Sequence, residues 1–500
     1  MKRREFLKTG AACVAAPYIL QHRRTEKPNL LFLWTDEQRA DTMAAYGNHW
    51  IQTPNLNRLA SESLVFENGY ISQPVCTPSR ATAMTGLWPH QHTCTRNNVP
   101  LPDHVGCLPE LLADPEYRTG YMGKWHLGDE IFSQHGFTEW ISIEDGYRKY
   151  YGAQRDKNRR SDYWQYLHDL GYAGDDGEGY YTRGFASRLP IEQAKPKFLE
   201  QRAVQFLQQH RNEPFMLCVN FLEPHMPFSG PLNDLYDPEA LPLPKNFLDP
   251  LEENEPLRYR LLRQNYISKG FGGVDLTTEK GWRRIMANYY GLVTQVDRSV
   301  GGILAELERL HLADNTIVVF TSDHGDMMAS HQLLAKTVMY EESVRIPWLM
   351  RVPALGKKQR LLKGRYSHID LVPTLLDLLA EKSSDLPGQS LLPILKKGKT
   401  AQQPVFIQWN GAEGEVPSTT SANLKEEAKR VHDSAIRTVI TQDGWKMCLS
   451  ERDNHQLFDL NRDPHETTNI YDQNRNGKKI KELRGMILRW QQNVQDPVQI

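Results

Sequence analysis

The stretch Asn29-Leu30-Leu31-Phe32-Leu33-Trp34-Thr35 is a continuous apolar run that stops abruptly at Asp36-Glu37. Strict alternation would mark a strand with one wet face; an unbroken run marks a strand buried on both faces, here with carboxylates at its carboxyl end. Other stretches repeat the pattern. Arg118–Met122 delivers Gly123-Lys124-Trp125-His126-Leu127-Gly128, Pro214–Phe221 delivers Glu223-Pro224-His225, and Thr316–Phe320 delivers Ser322-Asp323-His324-Gly325. Between these runs lie helical patterns. Leu56, Leu59 and Ala60 follow Thr53-Pro54, and Tyr289, Leu292, Val296, Val300, Ile303, Leu307 and Leu310 step by threes and fours. Gly301-Gly302 is expected to bend or interrupt that second helix. A further helix is expected over Asp370–Ala380, with Leu371, Leu375 and Leu378 inward.

Strands alternating with helices imply an α/β fold with a mostly parallel central sheet sandwiched by helices. In such sheets ligands bind beyond the carboxyl ends of the strands. Asp36, Lys124, His126, Glu223, His225, Asp323 and His324 all fall there. Residues suited to metals and anions at the ends of separate strands are a poor fit to chance.

Bulk properties set limits. Five hundred residues with 39% apolar content can bury a large core. A formal net charge of −1 argues against a nucleic-acid partner, which needs a basic excess. No apolar run reaches the roughly 20 residues a membrane-spanning helix requires. Six cysteines are too few for a disulfide-dense scaffold, although Cys94 and Cys107 could pair.

Within this frame lies Pro74-Val75-Cys76-Thr77-Pro78-Ser79-Arg80. Thr77 reads as an N-cap, Pro78 as the first helical position and Gly86 as the residue past the helix end. Cys76 would stand at the mouth of a short helix whose dipole favours an anion, with Arg80 one turn in. A lone cysteine there is ordinarily a small packed apolar group. Cys-x-Pro-x-Arg followed by Ala81-Thr82-Ala83-Met84-Thr85-Gly86, however, resembles the signature of the type I sulfatases of the alkaline phosphatase superfamily. The likeness runs from about Asn29 to about Asn469. It includes Gly-Lys-Trp-His-Leu-Gly, Glu-Pro-His-Met-Pro, Thr-Ser-Asp-His-Gly-Asp, and the run from Ser330 through Lys336 to Pro347.

The resemblance implies a sulfate-ester hydrolase in which Cys76 is oxidised to formylglycine, whose hydrate is the nucleophile. It implies one Ca²⁺ held by Asp36, Asp323 and His324, with Cys76 completing the shell. Glu37 stands where many members have a second Asp, so its longer side chain leaves its part in the shell open. Arg80 would orient the hydrated aldehyde, and Lys124 and Lys336 would hold the sulfate. His126 would take the proton that releases sulfate, His225 would help protonate the leaving alcohol, and Asp323 would deprotonate the attacking hydroxyl. A sulfated small molecule or glycan is the implied substrate, and a formylglycine-generating enzyme is the implied partner. Two rival readings stand beside it: a formylglycine-dependent hydrolase of phosphonate monoesters or phosphodiesters, and a non-catalytic binder of sulfated glycans.

The remaining regions read as follows. Residues 1–27 begin Met1-Lys2-Arg3-Arg4-Glu5-Phe6-Leu7-Lys8 and resemble a twin-arginine export signal, implying export machinery as a partner and a periplasmic or extracellular location. Cys13 leaves a lipid-anchored form open. Residues 28–385 form the catalytic α/β domain, with an insertion over about 145–189 rich in tyrosine and carrying Arg155, Lys157, Arg159 and Arg160. That insertion is either a surface excursion whose tyrosines pack on the core or a sugar-binding wall. Residues 386–500 form a C-terminal α+β subdomain: short strands Val405–Trp409, Ala435–Ile440, Trp445–Leu449 and Gln456–Leu460, then a helix over Lys478–Gln492. Gly411–Arg430 reads as a polar loop crossing near the site or a disordered excursion.

Overall fold

The computed structural model describes residues 27–380, 385–397, 401–411 and 416–500. The export-signal reading and Cys13 therefore fall outside the described residues.

The opening run forms β1 (Asn29–Asp36), buried at every position. Its side chains alternate between two cores: Leu30, Phe32 and Trp34 enter one, Leu31 and Leu33 the other. That is why alternation is invisible in the sequence; both faces are dry, and each large side chain contributes about 2 kcal/mol by leaving water. One face is covered by the helices Cys76–Thr85, Leu108–Leu112 and Leu371–Ala380. The other is covered by Pro54–Ser61, Lys195–Gln209 and Glu279–Arg309.

The remaining strands of this sheet are β2 (Leu64–Tyr70), β3 (Arg118–Gly123), β4 (Glu139–Ile141), β5 (Phe215–Pro224), β6 (Thr316–Ser322), β7 (Arg345–Ile346), β8 (Trp348–Arg351) and β9 (Arg360–Ser367). The order is β4-β3-β5-β1-β6-β8-β2-β7, with β9 also on β2. Pairings from β4 through β6 are parallel, whereas β8 runs antiparallel to both β6 and β2. The parallel half thus brings the carboxyl ends of β1, β3, β5 and β6 to one edge, and the site is built there.

The Glu279–Arg309 helix runs through Gly301-Gly302 without a break, contrary to the expected bend. The glycines serve close approach instead. A Cβ on Gly301 would lie 2.4 Å from Asn55 Cγ, and one on Gly302 would lie 2.3 Å from Glu200 Oε1. Cys94 and Cys107 are separate buried thiols, so the possible pairing is not made.

A second sheet, β10 (Val405–Trp409), β11 (Ile436–Ile440), β12 (Trp445–Ser450) and β13 (Gln456–Asp459), is antiparallel throughout. Ile480, Leu483 and Ile487 of the Lys478–Val494 helix pack on its Val439, Met447, Leu449 and Leu457. Of the polar stretch Gly411–Arg430, residues 412–415 lie outside the described residues; its end belongs to the helix Lys425–His432, anchored by Ala428 and Val431.

Candidate active site

Cys76 is the first residue of the Cys76–Thr85 helix, every residue of which is buried. The N-cap is Val75, in extended backbone and without a side-chain bond, so the expected Thr77 cap is wrong. Thr77 is tied elsewhere: its hydroxyl donates to the His126 carbonyl at 2.8 Å and accepts from Asn98 N at 3.2 Å. The helix mouth is thereby fixed to the loop that carries His126. Gly86 ends the helix in the left-handed conformation as expected (φ 71°).

Around Cys76 Sγ stand His324 Nε2 at 3.2 Å and Asp36 Oδ1 and Lys124 Nζ at 3.9 Å each. Ligand atoms of Asp36, Cys76, Asp323 and His324 all lie within 4.8 Å of one another, and all four residues are buried. His324 Nδ1–H donates to the Gly325 carbonyl at 2.9 Å, which leaves the Nε2 lone pair facing the cluster. Arg80, wholly buried, is the strut. Its Nε donates to Asp323 Oδ2 at 2.7 Å, Nη2 to Asp36 Oδ2 at 2.8 Å, and Nη1 to the Lys124 carbonyl and Asn220 Oδ1. Its guanidinium also lies 5.0 Å from the Trp34 ring centroid. Burial alone would raise the Asp36 pKa, but Lys124, His225 and Arg80 hold it well below the usual carboxylate range.

Glu37, in the left-handed region (φ 70°), donates its backbone N–H to Asp323 Oδ1 at 3.0 Å, and its carboxylate joins Asp36 and His225 in a second group of ligand atoms within 4.8 Å of one another. Its Oε2 accepts from Lys336 Nζ at 2.9 Å and lies 3.4 Å from His225 Nε2, while the buried Oε1 has no partner. Burial pushes its pKa up to about 8. Burial, with Asp36 beside it, pushes the Cys76 thiol up to about 12, so an unmodified Cys76 is protonated and a weak nucleophile at neutral pH. His225 Nδ1–H donates to the Met226 carbonyl at 2.8 Å, turning Nε2 toward Glu37. His126 Nε2 lies 3.0 Å from Asn98 Oδ1, and its buried Nδ1 has no partner. Burial, aided by Lys124, holds His126 well below its ordinary pKa and therefore neutral.

All the sequence-predicted site residues meet in this one region, with Glu37, His225 and Lys336 grouped on one flank. Lys336 also lines a cavity of about 360 Å³ whose walls include Val75, Asn97, Met226, Tyr266 and His432. Four contributors escaped the sequence reading. Asn220 closes β5 against Arg80, and Asn98 orients His126. Arg183 reaches Tyr147 Oη at 2.8 Å and comes within 3.4 Å of His225 Nδ1, while the Tyr147 ring packs against His126, tilted 36°, with centroids 4.5 Å apart. Asn220 had a signal, a polar residue inside a buried strand; Asn98 and Tyr147 sit on loops and Arg183 opens the one-turn helix Arg183–Ala186, with no periodicity to mark them.

The donor set suits a hard divalent cation: two aspartates, an imidazole nitrogen turned inward, and an orphaned carboxylate oxygen on Glu37 nearby. Residues 28–381 match the family model for sulfatases, and residues 329–493 match that for the C-terminal region of N-sulphoglucosamine sulphohydrolase. The chain is 27% identical to an N-acetylglucosamine-6-O-sulfatase of Bacteroides thetaiotaomicron, covering 95% of this chain and 88% of that one. It superposes with a TM-score of 0.76 on BT4656 in complex with its substrate D-glucosamine-2-N,6-O-disulfate, at 25% identity, covering 94% of this chain and 99% of that one. A phosphonate monoester hydrolase from Silicibacter pomeroyi shares the fold at 22% identity and a TM-score of 0.77, covering 94% and 96%. On the strength of the family match, this chain belongs to the sulfatase family of the alkaline phosphatase superfamily and is a sulfuric ester hydrolase.

Proposed function

We propose that this protein hydrolyses a sulfate ester on a carbohydrate, using formylglycine made from Cys76 and one calcium ion. The observation that carries the reading is the convergence of Cys76 Sγ with Asp36, Asp323 and His324 at the mouth of a wholly buried helix. The carbohydrate assignment draws support from the glucosamine-directed relatives.

Asp36, Asp323 and His324 would hold the ion, with Glu37 as a further oxygen donor. When bound, calcium would supply fixed positive charge that stabilises the oxygens of the ester and acidifies a hydroxyl beside it. The hydrated aldehyde would supply the nucleophile and a second hydroxyl, whose deprotonation returns the aldehyde and frees sulfate.

The chain's own residues divide the remaining work. Arg80 holds Asp36 and Asp323 in register and balances their charge. Lys124 and Lys336 bind the ester's non-bridging oxygens as these gain charge. Asp323 takes the proton of the attacking hydroxyl. His225, whose Nδ1–H is held by the Met226 carbonyl, takes a proton at Nε2 from the Lys336 ammonium beside it and passes it to the departing alcohol oxygen. His126, neutral and with Nδ1 free, accepts the proton of the second hydroxyl.

A sulfate monoester and a phosphodiester both carry one negative charge, so the same cations suit either. The test is relative kcat/KM on a monosulfated sugar, a phosphodiester and a phosphonate monoester. The sulfate ester is expected to lead by at least about 100-fold, roughly 2.7 kcal/mol of differential transition-state binding. A lead by either phosphorus ester would replace this reading with the rival hydrolase. If Cys76→Ala kept the wild-type rate, the reaction would lie elsewhere and the glycan-binder reading of this site would stand. We also read residues 1–27 as an export signal and the mature enzyme as periplasmic or extracellular. Among the described residues no helix is long and apolar enough to cross a membrane.

A further inference from the structure

The 145–189 insertion carries a feature the reaction does not use. Three of its eight tyrosines, Tyr151, Tyr163 and Tyr180, are buried, and the other five are half-buried. Its basic residues instead line a cleft of about 650 Å³, where Arg148, Lys149, Lys157 and Arg160 face the single carboxylate of Glu178. Two of these cations are rigidly held. The guanidiniums of Arg148 and Arg160 lie 3.1 and 3.5 Å from the centroid of Tyr180, so their forks are fixed before any ligand arrives.

The same groups have bonding capacity to spare. Arg160 Nη1 is buried and without a hydrogen-bond partner, while its Nη2 donates to the Glu178 carbonyl at 3.4 Å. Lys149 and Lys157 are exposed and have no carboxylate partner among the described residues. Arg148 pairs with Glu178 at 3.0 Å and lies 3.9 Å from Asp176, but the Glu178 carboxylate is 72% exposed and an anion could compete with it. The cleft also adjoins the reaction centre. Gly146 and Arg148, which line it, flank Tyr147, whose ring packs against His126. A ligand whose ester enters at Cys76 would extend past Tyr147 into this cluster.

We infer that the cleft is a second anion subsite, which takes a further sulfate group of a polysulfated oligosaccharide whose scissile ester lies at Cys76. This rests on the carbohydrate-sulfatase reading above, and the test separates the two. Calorimetry on the full chain carrying Cys76→Ala, with heparin and ι-carrageenan tetrasaccharides as probes, reads binding without turnover. Adding Lys149→Ala, Lys157→Ala and Arg160→Ala together should raise Kd for a bound tetrasaccharide about tenfold and flatten its salt dependence. The charge-conserving set Lys149→Arg, Lys157→Arg and Arg160→Lys should keep most of the affinity, which guards against a folding defect. In the active enzyme, the ratio of kcat/KM on the hydrolysed tetrasaccharide to that on 4-nitrophenyl sulfate should fall by a similar factor. An unchanged Kd and salt slope in the alanine set, or no binding of either probe, would overturn the subsite. Loss of turnover on every sulfate ester by the wild-type enzyme, with cleft-dependent binding intact, would instead remove the reaction proposed above.

Discussion

Two groups of cations lie next to each other in this molecule and are treated in opposite ways. Arg80 and Lys124 are buried and Lys336 is half-buried, and each is bonded to a carboxylate or backbone carbonyl at the proposed reaction centre. Arg148, Lys149, Lys157 and Arg160 stand at the surface around Tyr180, and among the described residues only Arg148 of the four has a carboxylate partner. In the first group desolvation makes each charge expensive unless its partners are in place, so position is over-determined. In the second, water and salt screen every charge, so single residues matter little and the cluster acts together. Chemistry needs the first arrangement; capture of a long anionic substrate needs only the second.

The comparison can be broken by mutation. The largest effect is expected from Arg80→Ala, which strands Asp36 and Asp323 as facing buried carboxylates. Chemical denaturation should show a loss of about 3–5 kcal/mol, together with loss of turnover. A loss under about 1 kcal/mol would mean the strut is not structural. Next is Lys124→Met, which keeps the aliphatic volume and removes one charge from the proposed sulfate pocket. kcat should fall about 10²–10³-fold with the folded state retained, as in the loss of one preorganised donor to a developing charge. A rise in KM alone would reassign Lys124 to ground-state binding. The smallest effect is the sharpest contrast. Raising salt from about 0.1 to about 1 M should leave kcat on a small sulfate ester within about twofold, while weakening oligosaccharide binding about tenfold.

How much of this was legible depended on burial. β1, β5 and β6 were readable because a strand with two dry faces spells an unbroken apolar run, and the polar residues that follow stand out. The same contrast marked Asp36, Asp323 and His324. Tertiary use was not readable. Thr77 looked like a cap, yet its hydroxyl is engaged by the His126 loop. Gly301 and Gly302 looked like a break, yet they admit Asn55 and Glu200 against an unbroken helix. The Lys425–His432 helix buries only Ala428 and Val431, too few to print a helical period on a polar segment. Arg183 and Tyr147 arrive from an insertion that has no periodicity, so nothing local tied them to His225 and His126.

The central claim is that Cys76 is the nucleophile's precursor, since its thiol, buried and pushed up to about 12, is otherwise inert. The most direct measurement is mass spectrometry of the peptide containing Cys76, from protein produced together with an active formylglycine-generating enzyme. The account predicts an aldehyde, trapped as its hydrazone, in place of the thiol. A thiol that persists in protein that still hydrolyses sulfate esters would contradict it.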